Sequence, residues 1–207
     1  MKIKSHKKWS YAWLVLGTVF MYFSNWNWAI PAAVWLFSVF LLRFIRIQKI
    51  GPGLLVLCST CMIVGVVSMW KLLAMEVIPP SFRVVSGLAV GVVFFLPFVA
   101  DRLLASKVPG FVATLVFPCS WTALEYLKSL GGGSWGALAY TQYGNLPLMQ
   151  FASITGIWGL SFLITWFAAI TNYAWEQQFA WRKFRKIVIL YSLIISFVFL
   201  SLREALN

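Results

Sequence analysis

Of 207 residues, 61% are hydrophobic and only 11% are charged, with a mean hydropathy of +0.85. That excludes an ordinary soluble domain, because the apolar runs approach or exceed the roughly 18 residues that mark a membrane-spanning helix. The net charge of +12 comes from short basic clusters between apolar runs, a pattern that orients spans in a bilayer and argues against nucleic-acid binding.

Lys2, Lys4, Lys7 and Lys8 precede the first apolar run. The run ends in Ser-Asn-Trp-Asn-Trp without a small-residue cleavage site, so it reads as an uncleaved first helix. Apolar character continues almost unbroken over 10–47, too far for one crossing of a core about 30 Å thick. A turn at 24–27 and Pro31 near the start of the return predict two short helices, either full spans or a hairpin dipping into the bilayer. Arg43, Arg46 and Lys49 close the pair, and Gly51-Pro52-Gly53 should break the helix.

A third helix is expected over 54–74, stopped by Pro79-Pro80, and a fourth over 84–104 with Pro97 as a kink. The fifth covers 111–130 with Pro118 inside it, and Trp121, Glu125 and Lys128 share one of its faces. Gly131-Gly132-Gly133 should end it. The loop to Leu146 is too polar and Gly-rich to lie bare in lipid, and its aromatic residues suit an interface or a cavity wall. Asn145 caps a sixth helix reaching to about Tyr173, where Ala152, Gly156 and Gly159 form a narrow strip for a neighbouring helix. After Arg182, Lys183, Arg185 and Lys186, a last helix covers 187–202.

The expectation is an all-α polytopic membrane bundle of about seven transmembrane helices, forming one domain over 1–207. Thirteen of the 17 Lys and Arg fall on the side of the N-terminus; Lys71, Arg83, Lys128 and Arg203 fall on the other. The positive-inside rule then places the N-terminus in the cytoplasm and the C-terminus and the 131–146 loop outside. Cys58, Cys61 and Cys119 all lie in expected spans and read as packing residues. His6, the single histidine, leaves no His-based metal site or Ser-His-Asp triad to assemble. No metal or cofactor is expected.

Glu125 is the sharpest single residue. A charge at mid-span costs on the order of 3 kcal/mol on insertion scales, so it needs a partner or a role. The plainer reading is a helix-end carboxylate paired with Lys128, worth well under about 1 kcal/mol if exposed. Trp135, Tyr140 and Gln142 fit either an aromatic belt or the entrance for a lipid headgroup or acyl chain. The basic cluster at 182–186 is most simply a topology determinant attracted to anionic lipid.

The run Trp121-x-x-x-Glu125-Tyr126-Leu127-Lys128, then Trp135-x-x-x-x-Tyr140-x-Gln142, then Gln150 and Gly156-Ile157-Trp158-Gly159-Leu160-Ser161-Phe162 resembles the membrane domain of bacterial apolipoprotein N-acyltransferase. The order and spacing match over about fifty residues, and the earlier helices match in hydropathy and in the short first pair. The resemblance implies a multi-pass protein of the bacterial inner membrane. In that family an acyl chain passes from a phospholipid to a cysteine thioester, then to the α-amine of a lipoprotein's N-terminal cysteine. A nitrilase-like Glu-Lys-Cys domain performs the chemistry and follows the seventh helix, before one further helix. Neither is found in this sequence, so the catalytic part is expected in trans, from a separate nitrilase-like subunit. Gly133-Ser134 stands where the family has Phe-Pro, and Ala139 where it usually has Gly. Trp121, Glu125, Trp135, Tyr140, Gln142 and Gln150 are the implied lipid- or substrate-binding positions, with membrane phospholipid and lipoprotein as partners. No catalytic residue is assigned. The competing expectations are a non-catalytic lipid-binding scaffold and a small transporter, the latter lacking paired intramembrane charges or repeats.

Overall fold

The described residues form seven α-helices: α1 (Ser10–Phe23), α2 (Pro31–Ile47), α3 (Ile50–Leu72), α4 (Pro80–Leu104), α5 (Gly110–Gly132), α6 (Leu146–Glu176) and α7 (Trp181–Ala205). The computed structural model describes residues 9–24, 29–74 and 78–205, so the basic tail and most of the first expected turn lie outside the described residues. Two 3₁₀ segments, Ala105–Lys107 and Leu138–Gln142, complete the architecture, and no strand occurs among the described residues. The fold is all-helical, as the composition requires.

Several helices start earlier or run longer than the residue pattern suggests. Gly51-Pro52-Gly53 does not break the chain but occupies the first turn of α3. The turn falls instead at Gln48 and Lys49, both extended, and Pro52 sits where no intrahelical N–H is needed. α4 likewise begins at Pro80 rather than near residue 84. α5 keeps Gly131 and Gly132 helical and stops only at Gly133, whose φ of 78° suits a residue without a side chain. α7 begins at Trp181, so the 182–186 basic cluster forms its first turns rather than a loop.

The packing follows from where the small residues fall. A methyl added to Gly65 of α3 would lie 2.3 Å from the Gly87 carbonyl oxygen; on α4, one at Gly87 would lie 2.5 Å from the Val66 Cα and one at Gly91 2.6 Å from the Met62 Cα. Backbone meets backbone there, the small-xxx-small contact by which helices associate in lipid. The strip expected at Ala152, Gly156 and Gly159 does not serve that purpose. Gly156 is exposed and breaks the helical backbone of α6 with φ 68° and ψ 176°. A methyl at Gly159 would first meet Thr155 of the same helix. These residues shape a kink.

α2 is the centre of the core: Val34, Phe37, Leu41, Leu42, Phe44 and Ile45 are fully buried. Asn172 of α6 donates to the Val39 carbonyl at 2.9 Å, tying α6 to it. At the carboxyl ends of α2, α4 and α6, Arg46 grips Asp101 through two hydrogen bonds of 2.9 and 2.7 Å and reaches Glu176 at 3.2 Å. This pairing of distant charges was not read from the sequence. A buried ion pair adds little net stability but is costly to break, so it fixes which helix ends meet. α3, α4 with its 3₁₀ extension, α5 and α6 are long and apolar enough to cross a membrane. α1 and α2, with 14 and 17 residues, reach about 21 and 26 Å.

Gly91→Leu should therefore force α3 and α4 apart and destabilise the bundle by roughly 1–3 kcal/mol, read as a lowered unfolding midpoint in detergent. Gly51→Ala, whose added methyl meets nothing within 4 Å, should leave the midpoint within about 1 °C, since unstrained surface changes are small.

Candidate functional site

Glu125 is not at the end of its helix. It lies two turns inside α5 and is only 6% exposed. Its Oε1 accepts from the Trp121 indole N–H at 2.9 Å and from the Leu138 amide at 2.9 Å. The first bond follows from i,i+4 spacing on one helix face. The second spans the loop and could not be read from the sequence. The expected pairing with Lys128 is not made; the Lys128 ammonium donates to the Trp135 carbonyl instead. Two hydrogen bonds to a carboxylate, each worth about 1.5–3 kcal/mol, offset a burial cost of similar size. Glu125 Oε2 is buried and has no hydrogen-bond partner.

Trp121 is held in turn by an aromatic cage. Phe37, Phe94, Phe98 and Phe117 surround it with ring centroids between 5.3 and 6.1 Å, mostly edge-to-face, each pair worth about 0.5–1.5 kcal/mol beyond burial. Three helices, α2, α4 and α5, thereby fix the orientation of one indole N–H.

The loop is bolted at three more points. The Ala139 amide donates to the Ser161 hydroxyl of α6 at 3.3 Å. Gln142 is 1% exposed: it accepts from the Trp35 indole at 3.2 Å and donates to the Pro31 carbonyl at 3.2 Å. Thr141 donates to the Leu138 carbonyl at 2.6 Å, closing the 3₁₀ turn. Gln142 is thus a clamp on α2, and it also lines an open space with Trp35, Asn145, Leu148 and Tyr191. Ala139, where a glycine was expected from the resemblance, sits buried in the 3₁₀ segment without positive φ, so its methyl costs no strain. Gly133 and Gly136, at φ 78° and 76°, carry the sharp turns.

Trp135 and Tyr140 behave differently. Trp135 is 77% exposed and Tyr140 half-exposed, its hydroxyl 2.6 Å from Ser134 Oγ. With Ser134, Gly136 and Met69, Leu72 and Leu73 from the end of α3, they line an open groove of about 880 Å³. The lining is almost wholly apolar. Gly136 also lines a small crevice with Pro97, Trp121, Glu125 and Lys128, so the groove adjoins the buried carboxylate. Gln150 is half-buried on α6 and lines neither space. Ser161, although inside the recognised motif, and the residues of α3 were not singled out from sequence; only the loop's approach to α3 brings the latter in.

The arrangement can hold an apolar chain and present polar groups beside it. No cysteine lines the groove or the crevice: Cys58 and Cys61 lie on α3 and Cys119 on α5. Among the described residues no cluster of metal-ligating side chains occurs.

Comparison with known proteins finds relatives by sequence. An apolipoprotein N-acyltransferase of Geobacter metallireducens is 49% identical over 57 residues, covering 27% of this chain and 11% of the relative. Apolipoprotein N-acyltransferase 1 of Treponema pallidum is 37% identical over 92 residues, covering 42% and 16%. The Bradyrhizobium diazoefficiens enzyme is 33% identical over 116 residues, covering 53% and 21%. The chain thus spans about a fifth or less of the length of these relatives. No solved structure matches it. The family described as the apolipoprotein N-acyltransferase N-terminal domain matches residues 14–170, about three quarters of the sequence, including the whole Glu125-bolted loop, and to that family this chain belongs.

Proposed function

We propose that this protein is a multi-pass component of the bacterial inner membrane that binds an acyl chain of a phospholipid or lipoprotein during lipoprotein N-acylation. The observation that carries this reading is the apolar groove of about 880 Å³ between the end of α3 and the Trp135–Tyr140 wall. Its size lies within the roughly 300–1,000 Å³ of small-ligand sites, and its lining suits a hydrocarbon. The relatives' names supply the reaction class. Trp121 and Glu125 act as positioning residues, holding the loop that makes one wall. Tyr140 and Trp135 are the groove's own surface.

The thioester-forming cysteine comes from a nitrilase-like Glu-Lys-Cys unit acting in trans on the loop face. Two observations support that division: no cysteine borders the groove, and the exposed Trp135 and Tyr143 give the loop a surface on which a partner can dock. Confinement of both partners to one membrane surface raises their effective concentration, so modest affinity suffices. The excess of Lys and Arg on the opposite side supports an outward-facing loop by the positive-inside rule.

The orientation is checked with fused reporters: one after Asn207 should be active outside the cytoplasm and one near Gln178 inside it, and the reverse pattern would overturn the outward-facing loop.

Glu125→Ala should release the Leu138 amide and speed its hydrogen exchange by about tenfold or more, since a lost charged hydrogen bond is worth at least about 1.5 kcal/mol. Lys128→Gln should change the exchange of Leu138 little. Equal effects of the two variants would restore the helix-end salt-bridge reading.

The function itself is read from lipoprotein N-termini by mass spectrometry in cells carrying Trp135→Ala with Tyr140→Ala. The N-linked acyl chain should fall roughly tenfold, and a nitrilase-like protein should co-purify with the unaltered chain. Full N-acylation in that double variant, with lipid binding lost, would leave a lipid-binding scaffold as the correct reading.

A further inference from the structure

At the end of the bundle opposite the loop, a second pocket of about 240 Å³ opens among α4, α5 and α6. It is smaller than the roughly 300–1,000 Å³ of drug-sized sites but large enough for a charged headgroup. Its chemistry differs from that of the groove. Arg46, Asp101, Arg102 and Glu176 all line it, with Ser106, Thr114 and Tyr173.

The four charges are not equally engaged. Arg46 is spent, with Nε and Nη2 on Asp101 and Nη1 on Glu176. Both Asp101 oxygens are occupied by it. Arg102 is not spent: one Nη donates to the Gln48 carbonyl at 3.0 Å, while its Nε is buried without a hydrogen-bond partner. Glu176 engages Arg46 through Oε1 and keeps a side chain 40% exposed. The pocket therefore presents one under-used cation and one under-used anion.

Helix ends of both kinds meet at this pocket: Arg102 lies in the last turn of α4, and the first turn of α5 faces it across the pocket. The first turn of α5, at Gly110, Ala113 and Thr114, forms the wall, and its N-cap Pro109 supplies no side-chain hydrogen bond. Its uncapped amides add to the Arg102 charge in favouring an anion. Tyr173 and Glu176 belong to the carboxyl end of α6, which favours a cation.

We propose that this pocket binds a zwitterionic group, a phosphate on Arg102 joined a few bonds away to an ammonium on Glu176. A phospholipid headgroup and a soluble phosphodiester amine share that chemistry. The site is separate from the acyl groove and does not rest on its assignment. Bound there, such a group would link α4, α5 and α6 at the face away from the loop.

The test uses the full chain in detergent, titrated with phosphatidylethanolamine, phosphatidylglycerol or soluble glycerophosphoethanolamine, with native mass spectrometry and the unfolding midpoint as readouts. Phosphatidylethanolamine should bind saturably and raise the midpoint. Phosphatidylglycerol, lacking the ammonium, should bind roughly tenfold more weakly, the loss expected for one charged hydrogen bond. Arg102→Gln should weaken phosphatidylethanolamine by a similar factor, and Glu176→Gln should erase the preference between the two lipids. Ala113→Phe fills the pocket without touching an ion pair and, with the acyl groove intact, should erase the preference for phosphatidylethanolamine over phosphatidylglycerol even if the charge variants fail to fold. Competition by glycerophosphoethanolamine would assign the site to the headgroup alone, and no competition would assign it to a lipid held in its leaflet. Equal binding of both lipids by the unaltered chain, or an undiminished phosphatidylethanolamine preference in Ala113→Phe, overturns the proposal.

Discussion

A carboxylate inside a membrane helix must be met by donors, and at Glu125 the donors come from two places at once. The Trp121 indole lies one turn away on α5, and the Leu138 amide lies beyond the Gly133–Gly136 turns. Because one oxygen takes both bonds, the helix and the loop are fixed relative to each other by a single atom. The aromatic cage around Trp121 carries that constraint into α2 and α4. Gln142 and Ser161 extend it to α2 and α6. Loop backbone can persist at membrane depth only where its polar groups are satisfied within protein, and this network meets that demand for the 3₁₀ segment.

The exposed half of the loop follows from its buried half. With Leu138 to Gln142 anchored, Trp135 and Tyr140 have nowhere to go but outward, towards the end of α3. The large apolar groove forms between them. It is a consequence of two surfaces meeting, one from residues 69–73 and one from 134–140. The belt reading of these aromatics and the lipid-entrance reading are therefore not opposed. An aromatic side chain held over an apolar groove by a buried anchor suits either role.

The two ends of the bundle are built on opposite principles. At the loop end a lone carboxylate is held by neutral donors, and the space beside it is apolar. At the other end Arg46, Asp101 and Glu176 pair across three helices, and the space beside them is charged. Between them, α3 and α4 meet through glycines with backbone in contact. A bundle so divided presents an apolar groove at one end and a charged pocket at the other.

Composition and apolar run lengths by themselves determined an all-helical membrane protein, and the prolines and the Asn145 cap determined most helix starts to within a few residues. The i,i+4 spacing of Trp121 and Glu125 made their contact legible, and the loop motif pointed to the family. What only the tertiary structure decided were contacts between residues far apart in the chain. Nothing local says that Glu125 will take the Leu138 amide in preference to Lys128, or that Gln142 will close on Trp35. Gly87-x-x-x-Gly91 carried a packing signal in plain sight, yet small residues at similar spacing on α6 made an equally plausible strip. Which strip meets a neighbour depends on the kink at Gly156, a backbone choice that hydropathy does not encode. The Arg46–Asp101 pair was hidden for the same reason, since charges 55 residues apart become partners only when the helix ends are brought together.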